Sequence, residues 1–212
     1  KERTTTSTAI RDQNKEDMSK IIVDSKKIFK DIKLYVDETS PEFSSKLELY
    51  NGDQPLFDVY NIEKQIEESI QRKVWLKNGG YIIIEPTEAM TVVDVNSGKY
   101  ARHRDQEINS LNTNLESAKE IVRQIRLRDI GGIIVIDFID LYDEKNRRRL
   151  FEDIKREFKN DRAKSTILPV SEFGLVEITR QRIRQNIIHT VSDFCPMCNG
   201  SGHIQSKSTF LN

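Results

Sequence analysis

Two carboxylates and one amide carry the chemistry most readily legible in this chain. Asp94 and Asn96 lie two residues apart in the β-branched run from Met90 to Asn96, so both side chains leave the same face of a strand. Asp137 terminates the apolar run Ile133-Ile-Val-Ile136. A carboxylate at the mouth of a buried strand must be hydrated, paired or metal-bound to avoid a penalty of several kcal/mol. If the two strands are neighbours, Asp94, Asn96 and Asp137 form an all-oxygen cluster with two negative charges, a hard-ligand set suited to Mg²⁺ held partly by water. Such an ion can bind a scissile phosphate, stabilise charge developing on its oxygens and lower the pKa of a bound water. The alternative needs no metal: Asp94 caps a strand end and Asp137 pairs with an arginine of the following helix.

The chain has two cysteines, Cys195 and Cys198. A bridge across two intervening residues would hardly restrain it, which excludes a disulfide scaffold. Cys195-Pro-Met-Cys198 followed by Asn199-Gly-Ser-Gly202 has the glycine-rich turn that lets two thiolates face one Zn²⁺. The remaining ligands are either His189 and His203 or the same two cysteines of a second chain. A redox pair is the third reading, disfavoured because no helix start is at hand to depress a thiol pKa.

Basic residues fall in three groups: Arg123, Arg126 and Arg128; Arg147 to Arg149; and Arg180, Arg182 and Arg184. Each can contact phosphates or serve as a solvated or ion-paired face. The last group alternates, so an extended segment would present all three on one side, and it is the expected groove for a phosphate backbone. His103, between Arg102 and Arg104, either nears a scissile phosphate or is a solvated loop residue.

The elements that must position these residues follow from periodicity. Ile28, Phe29, Ile32 and Val36 share a helical face until Ser40-Pro41 stops it, and Ile62, Ile66 and Ile70 mark a second helix. After Gly79-Gly80 the period changes, and Tyr81 to Glu85 and Met90 to Asn96 read as a hairpin. Thr113-Asn-Leu-Glu116 reads as a capping box that opens a helix ended by Gly131-Gly132. Ile133 to Ile136, apolar throughout, predicts a central strand covered on both sides. Leu150, Phe151, Ile154 and Phe158 define another helix, and Thr166 to Val170 and Leu175 to Ile178 further strands. The expected class is a layered α/β core with a mixed sheet and flanking helices. Lys plus Arg and Asp plus Glu both total 34 in 212 residues, so any polyanion site must be local. No stretch approaches a membrane span, and the Thr-rich start resembles no signal peptide, so a soluble, intracellular protein is expected.

Val92-Val-Asp-Val-Asn-Ser97, Asn112-Thr-Asn-Leu-Glu116, Arg123-Gln-Ile-Arg-Leu-Arg-Asp-Ile-Gly-Gly132 and Ile133-Ile-Val-Ile-Asp-Phe-Ile-Asp140 closely resemble successive blocks of ribonuclease E/G. Phe43-Ser-Ser-Lys46, Phe173-Gly-Leu-Val-Glu177 with Arg180-Gln-Arg182, and the Cys195 to Gly202 segment extend the similarity. The resemblance implies a Mg²⁺-dependent endoribonuclease that hydrolyses single-stranded, often A/U-rich RNA to 5′-phosphate and 3′-hydroxyl ends in RNA processing and decay. Asp94 and Asp137 would hold the metal, with Asn96 in support. It also implies a division into the end of an RNase-H-like subdomain (1–43), a deoxyribonuclease-I-like catalytic subdomain (44–188) and a zinc-link segment (189–212). Through Cys195 and Cys198, that last segment would fasten a homodimer. Lys164 stands where relatives commonly carry an arginine that supports recognition of a 5′ end, and lysine keeps the charge but loses the planar fork. The OB-fold RNA-binding domain of the family is expected before residue 1, so the segment alone would cleave weakly or not at all. A bacterial cytoplasm is the expected location, with a plastid as the alternative. The competing functional reading is a non-catalytic RNA-binding or zinc-linked scaffold module.

Overall fold

The structure is a computed structural model, and it describes residues 10, 18–98, 106–183, 186, 192–193, 195–198 and 202. The chain packs as two compact units, Lys1–Gln65 and Ile66–Asn212. Packing therefore divides the chain after Gln65, whereas the resemblance implies a subdomain boundary at 43/44.

In the first unit, strand β1 (Ile21–Val23) pairs in parallel with β2 (Leu47–Leu49). Helix α1 (Lys26–Thr39) joins them. Its N-terminus is capped by Ser25, whose hydroxyl accepts from the Ile28 amide, and it stops at Ser40-Pro41 as its periodicity predicts. Ile32 and Val36 pack from the helix against Val23, Phe43 and Leu47. Helix α2 (Leu56–Val59) follows, and then helix α3 (Ile62–Ile70).

The second unit is a six-stranded mixed sheet. Its strands are β3 (Lys73–Trp75), β4 (Tyr81–Pro86), β5 (Met90–Asn96), β6 (Gly132–Asp137), β7 (Ser165–Ile167) and β8 (Leu175–Arg180), in the order β3-β4-β5-β6-β8-β7. The hairpin β4–β5 is present as expected, closed by Thr87, whose hydroxyl accepts from the Met90 amide. Helix α4 (Gln106–Leu127) carries the chain from β5 to β6, the one parallel pairing in this sheet, and helix α5 (Glu144–Phe158) carries it from β6 towards β7. Alternate residues Ile82, Ile84, Val93, Val95, Ile134, Ile136, Val176 and Ile178 turn to one face. There they meet Ala118, Ile121, Val122 and Ile125 of α4 and Leu150, Ile154 and Phe158 of α5.

Two expectations are corrected. Ile133 to Ile136 is not sealed on both sides: among the described residues helices cover one face only, and Ile133 is 47% exposed on the other. The opposite face mixes Tyr81, Ile83, Val92 and Val135 with Asp94, Asn96, Asp137 and Glu177, so apolar residues there are partly wet. Nor does Thr113-Asn-Leu-Glu116 open a helix, because α4 is already running from Gln106 and both Thr113 and Glu116 lie in its interior. Their side chains bond to other elements instead. Finally, no helix among the described residues is long and apolar enough to cross a membrane.

Candidate functional site

Parallel pairing of β5 with β6 places Asp94 directly opposite Asp137. Both lie on the sheet face not covered by helices, at the strand ends. Register partners on neighbouring strands sit about 5 Å apart, so two carboxylates face each other. Burial pushes the Asp137 carboxyl above the ordinary carboxylate value, and the charges of Asp94 and then Asp140 push it further the same way. Asn96, also on this face, donates from Nδ2 to Asp94 Oδ2 at 2.7 Å and so fixes the rotamer of that carboxylate. Among the described residues no arginine or lysine pairs with Asp94 or Asp137, so the bland alternative of an ion pair to the following helix is not what the fold provides. A concentrated negative site remains, with no basic partner among the described residues. Its oxygen donors suit a hard divalent cation, which would relieve the repulsion between two like charges directly opposite.

Side chains of a single helix, α4, fix the loops around this pair. Asn114, fully buried in α4, donates from Nδ2 to the Ile139 carbonyl at 2.7 Å and accepts from the Ile139 amide at 3.1 Å. This reciprocal pair clamps the chain two residues beyond Asp137. Glu116 accepts the Lys77 amide at 2.6 Å, and Thr113 accepts from the Asn78 side chain at 3.3 Å, anchoring the turn between β3 and β4. Glu107 at the start of α4 accepts from Asn146 and from the Tyr142 and Asp143 amides. The Asn146 hydrogen bond is the main reason its carboxyl lies below the usual range; burial opposes it, and the two amides and the Arg147 charge act in the same direction as Asn146. The far end of β5 is set by close backbone approach. Gly98 has φ +66°, and a Cβ there would lie 2.4 Å from the Gly79 carbonyl oxygen; a Cβ on Gly80 would lie 2.7 Å from that of Asn96. Glu107, Asn114 and Glu116 are thus positioning residues that periodicity did not single out. The signal available was the unusual polarity of α4: Asn114, Thr113 and Ser117 are all on its buried face.

The basic residues separate. In β8 the alternation that buries Val176 and Ile178 also buries Arg180, whose side chain is 4% exposed. Its Nε donates to Asp161 Oδ2 at 2.7 Å and its Nη2 to Asp161 Oδ1 at 3.0 Å, while Nη1 reaches Asp129 at 3.2 Å and the Ile130 carbonyl at 2.8 Å. The expected placement of Arg180 in an RNA groove is therefore corrected: strand alternation turns it inward, and four of its five N–H donors are taken by Asp161, Asp129 and the Ile130 carbonyl. Arg182 is exposed and lies over Gly131 and Gly132; Lys164 is exposed at the start of β7; Arg184 lies outside the described residues. Arg182 and Lys164 stand at the end of the sheet opposite Asp94 and Asp137, five residues along β6 or roughly 17 Å away. A cavity of about 850 Å³ lined by the Pro86–Met90 turn, Asp129–Gly131 and Arg182 is at that same far end. Arg128 is also buried, bonded to Gln124 and to the Gln71 carbonyl, and burial pushes its guanidinium down to about 10. Arg123 is held by Glu120 and Arg148 by Glu144. His103 and its neighbouring arginines lie outside the described residues.

Cys195 is exposed and Cys198 half-buried, on either side of a turn. Neither forms a disulfide. His189 and His203 lie outside the described residues, and among those described no group of three or more His, Cys, Asp or Glu could hold a metal ion.

The model of the Ribonuclease E/G family matches residues 1–183. Ribonuclease G of Haemophilus influenzae is 43% identical over 192 residues, covering 91% of this chain and 39% of that protein. Ribonuclease G of Escherichia coli K12 is 42% identical, with 94% of this chain and 41% of the relative covered. Ribonuclease E of the same strain is 41% identical over 95% of this chain and 19% of its own length. The chain thus spans about two fifths of the ribonuclease G relatives. The paired acids, with the polar helix face that braces their loops, belong to a chain that is a member of the ribonuclease E/G family.

Proposed function

We propose that this chain is the catalytic part of a Mg²⁺-dependent endoribonuclease that hydrolyses single-stranded, A/U-rich RNA in RNA processing and decay. The observation that carries the reading is the register pairing of Asp94 with Asp137, two like charges facing each other with no basic partner among the described residues. Asp94 and Asp137 would hold the metal. Asn96 would keep Asp94 aimed at it. When bound, Mg²⁺ supplies positive charge against the phosphate oxygens and acidifies a water. In the reaction the water oxygen bonds to phosphorus, the bond to O3′ breaks, and a proton passes to the departing O3′. The products are a 5′-phosphate and a 3′-hydroxyl. The protein's own share is positioning: the clamps from Asn114, Glu116 and Glu107 hold the two strand ends in fixed register, which is where a loss of geometry is most costly.

The mixed sheet with helices on one face supports a deoxyribonuclease-I-like subdomain, preceded by the end of an RNase-H-like one. Exposed Lys164 and Arg182, about 17 Å from the acids, fit contact with other phosphates of the same strand or with its 5′ end. Cys195 and Cys198 would supply half the ligands of a zinc ion shared between two chains. The bacterial origin of the relatives supports a bacterial cytoplasm as the location.

The test is cleavage of a labelled A/U-rich single strand by the full-length protein, wild type against Asp137→Asn, with Mg²⁺ or EDTA. Cleavage should require both Mg²⁺ and Asp137 and leave 5′-phosphate ends, and the variant should lose on the order of 10²–10³ in rate, the scale for removing one charge-stabilising group. A variant that cuts as fast as wild type would overturn the assigned site. Unchanged RNA affinity without cleavage by either protein would favour a binding module.

A further inference from the structure

The uncovered face of the sheet carries one feature that the acidic site does not use. Trp75, the one tryptophan of the chain, lies at the end of edge strand β3 and is 66% exposed. An isolated exposed aromatic needs no explanation. Here the ring has partners. Tyr81, its register neighbour on β4, meets it edge to face at 5.4 Å between centroids. The Lys73 ammonium sits over both rings, 3.9 Å from the Trp75 centroid and 3.6 Å from that of Tyr81. The rings are therefore braced, with an ammonium at hand, yet most of the indole surface remains in water.

Strand register places this group relative to the acids. Trp75 pairs with Tyr81, and Tyr81 with Asn96, forming one row across the sheet; Lys73, Ile83, Asp94 and Asp137 form the next. Side chains in both rows leave the uncovered face, as Val74 and Ile82 turn to the core. Two strand spacings, about 10 Å, separate Trp75 from Asn96. Asp94 and Asp137 lie one row further along and, for Asp137, one strand further across, roughly 12 and 16 Å from Trp75, a span open to a nucleotide flanking a phosphodiester held there. A flat, sequence-tolerant aromatic surface beside a cation is what binding of unpaired bases requires, because every base has a π-face and every nucleotide a phosphate.

We propose that Trp75, braced by Tyr81 and Lys73, forms a stacking site for one nucleobase of the single-stranded RNA beside the cleaved bond. This rests on the ribonuclease reading and adds a base subsite to it. Paired bases cannot stack there, so the site also selects single strands over duplexes.

The experiment measures RNA binding in EDTA, where no cleavage occurs, using the full-length protein and a short single-stranded RNA in which one abasic nucleotide is moved along the strand. In wild type, one abasic position should weaken binding about tenfold, with the others near neutral. Trp75→Ala should weaken binding of the intact RNA by a similar factor and erase the penalty at that position. Trp75→Phe should restore most of it, which guards against loss through misfolding. An abasic penalty undiminished in Trp75→Ala, or affinity within twofold of wild type, would overturn the stacking site while leaving Asp137-dependent cleavage intact. If Trp75→Ala leaves RNA affinity unchanged but converts dimers to monomers, the ring is a protein interface and the proposal fails. Coupling between Trp75 and one base without Mg²⁺-dependent cleavage by any form would uphold the stack and reject the nuclease reading. No measurable RNA binding would reject both.

Discussion

Arg180 offers the sharpest test of the fold against the sequence pattern, because the two assign it different work. Replacing it by alanine removes two hydrogen bonds to Asp161 and one each to Asp129 and the Ile130 carbonyl. Among the described residues Asp161 then keeps the hydrogen bond from the Ala163 amide, at 3.1 Å. The side chains of Arg180 and Asp161 are 4% and 3% exposed, so water cannot replace the lost partner. Breaking a buried pair from one side costs about 3–5 kcal/mol. At roughly 2–4 °C per kcal/mol for chains of this size, Tm should fall by roughly 6–20 °C. Asp161→Asn added to Arg180→Ala should cost less than the sum of the two, since each removes the same interaction. The pH dependence has a defined sign. Burial alone would raise the Asp161 carboxyl, but the Arg180 hydrogen bond, the Ala163 amide and the Arg180 charge outweigh it and hold the group below its ordinary value of 3.8. The unfolded chain therefore binds the proton first. The pair's contribution is complete above that ordinary value and is lost as pH falls through the lower folded value. Wild type should lose stability more steeply than Arg180→Ala in that acid window. Urea unfolding at several pH values measures this, alongside RNA binding at several salt concentrations. A variant within about 1 kcal/mol of wild type in stability, with the slope of log affinity against log salt reduced by about 0.7, the value for one phosphate contact on a single strand, would refute the buried role.

Other outcomes follow from the site. Without divalent ions, Asp137→Asn should be more stable than wild type by about 0.2–1 kcal/mol, because it removes a like charge directly opposite Asp94; equal or lower melting temperatures in EDTA would contradict the uncompensated pair. Gly98→Ala should cost about 1–3 kcal/mol for its positive φ and reduce cleavage through displacement of Asn96, so cleavage at the wild-type rate would show that the Gly79–Gly98 approach does not set the site. Replacing Cys195 and Cys198 together by serine should release zinc and yield monomers, read by metal content and sedimentation; a zinc-bearing dimer would reject the shared site.

The sequence made the helices α1, α3 and α5 and the hairpin β4–β5 legible because each has enough residues to display a period. The same reasoning found Asp94, Asn96 and Asp137, since two of them share a strand face and the third interrupts an apolar run. What brings them together, the β5–β6 pairing, is a long-range fact that no local pattern encodes. The three-residue strands β1, β2 and β3 were too short to show alternation. Thr113 and Glu116 had the spacing of a capping box, but that spacing is also the one that puts two side chains on neighbouring turns of a helix interior. Arg180 failed for a related reason: alternation says which residues share a side, and only the sheet's neighbours say whether that side is wet.

The crossover through α4 has a kinetic meaning. Asp94 and Asp137 meet only when β6 docks beside β5, the one parallel pairing in this sheet, and such pairings form late because a long loop must close before any contact rewards it. The hairpin β4–β5 can form early and alone, but it presents a single acid. Affinity for a divalent cation should therefore appear during refolding with the slowest step of sheet assembly rather than with collapse, which makes a metal-sensitive probe a stopwatch for the crossover.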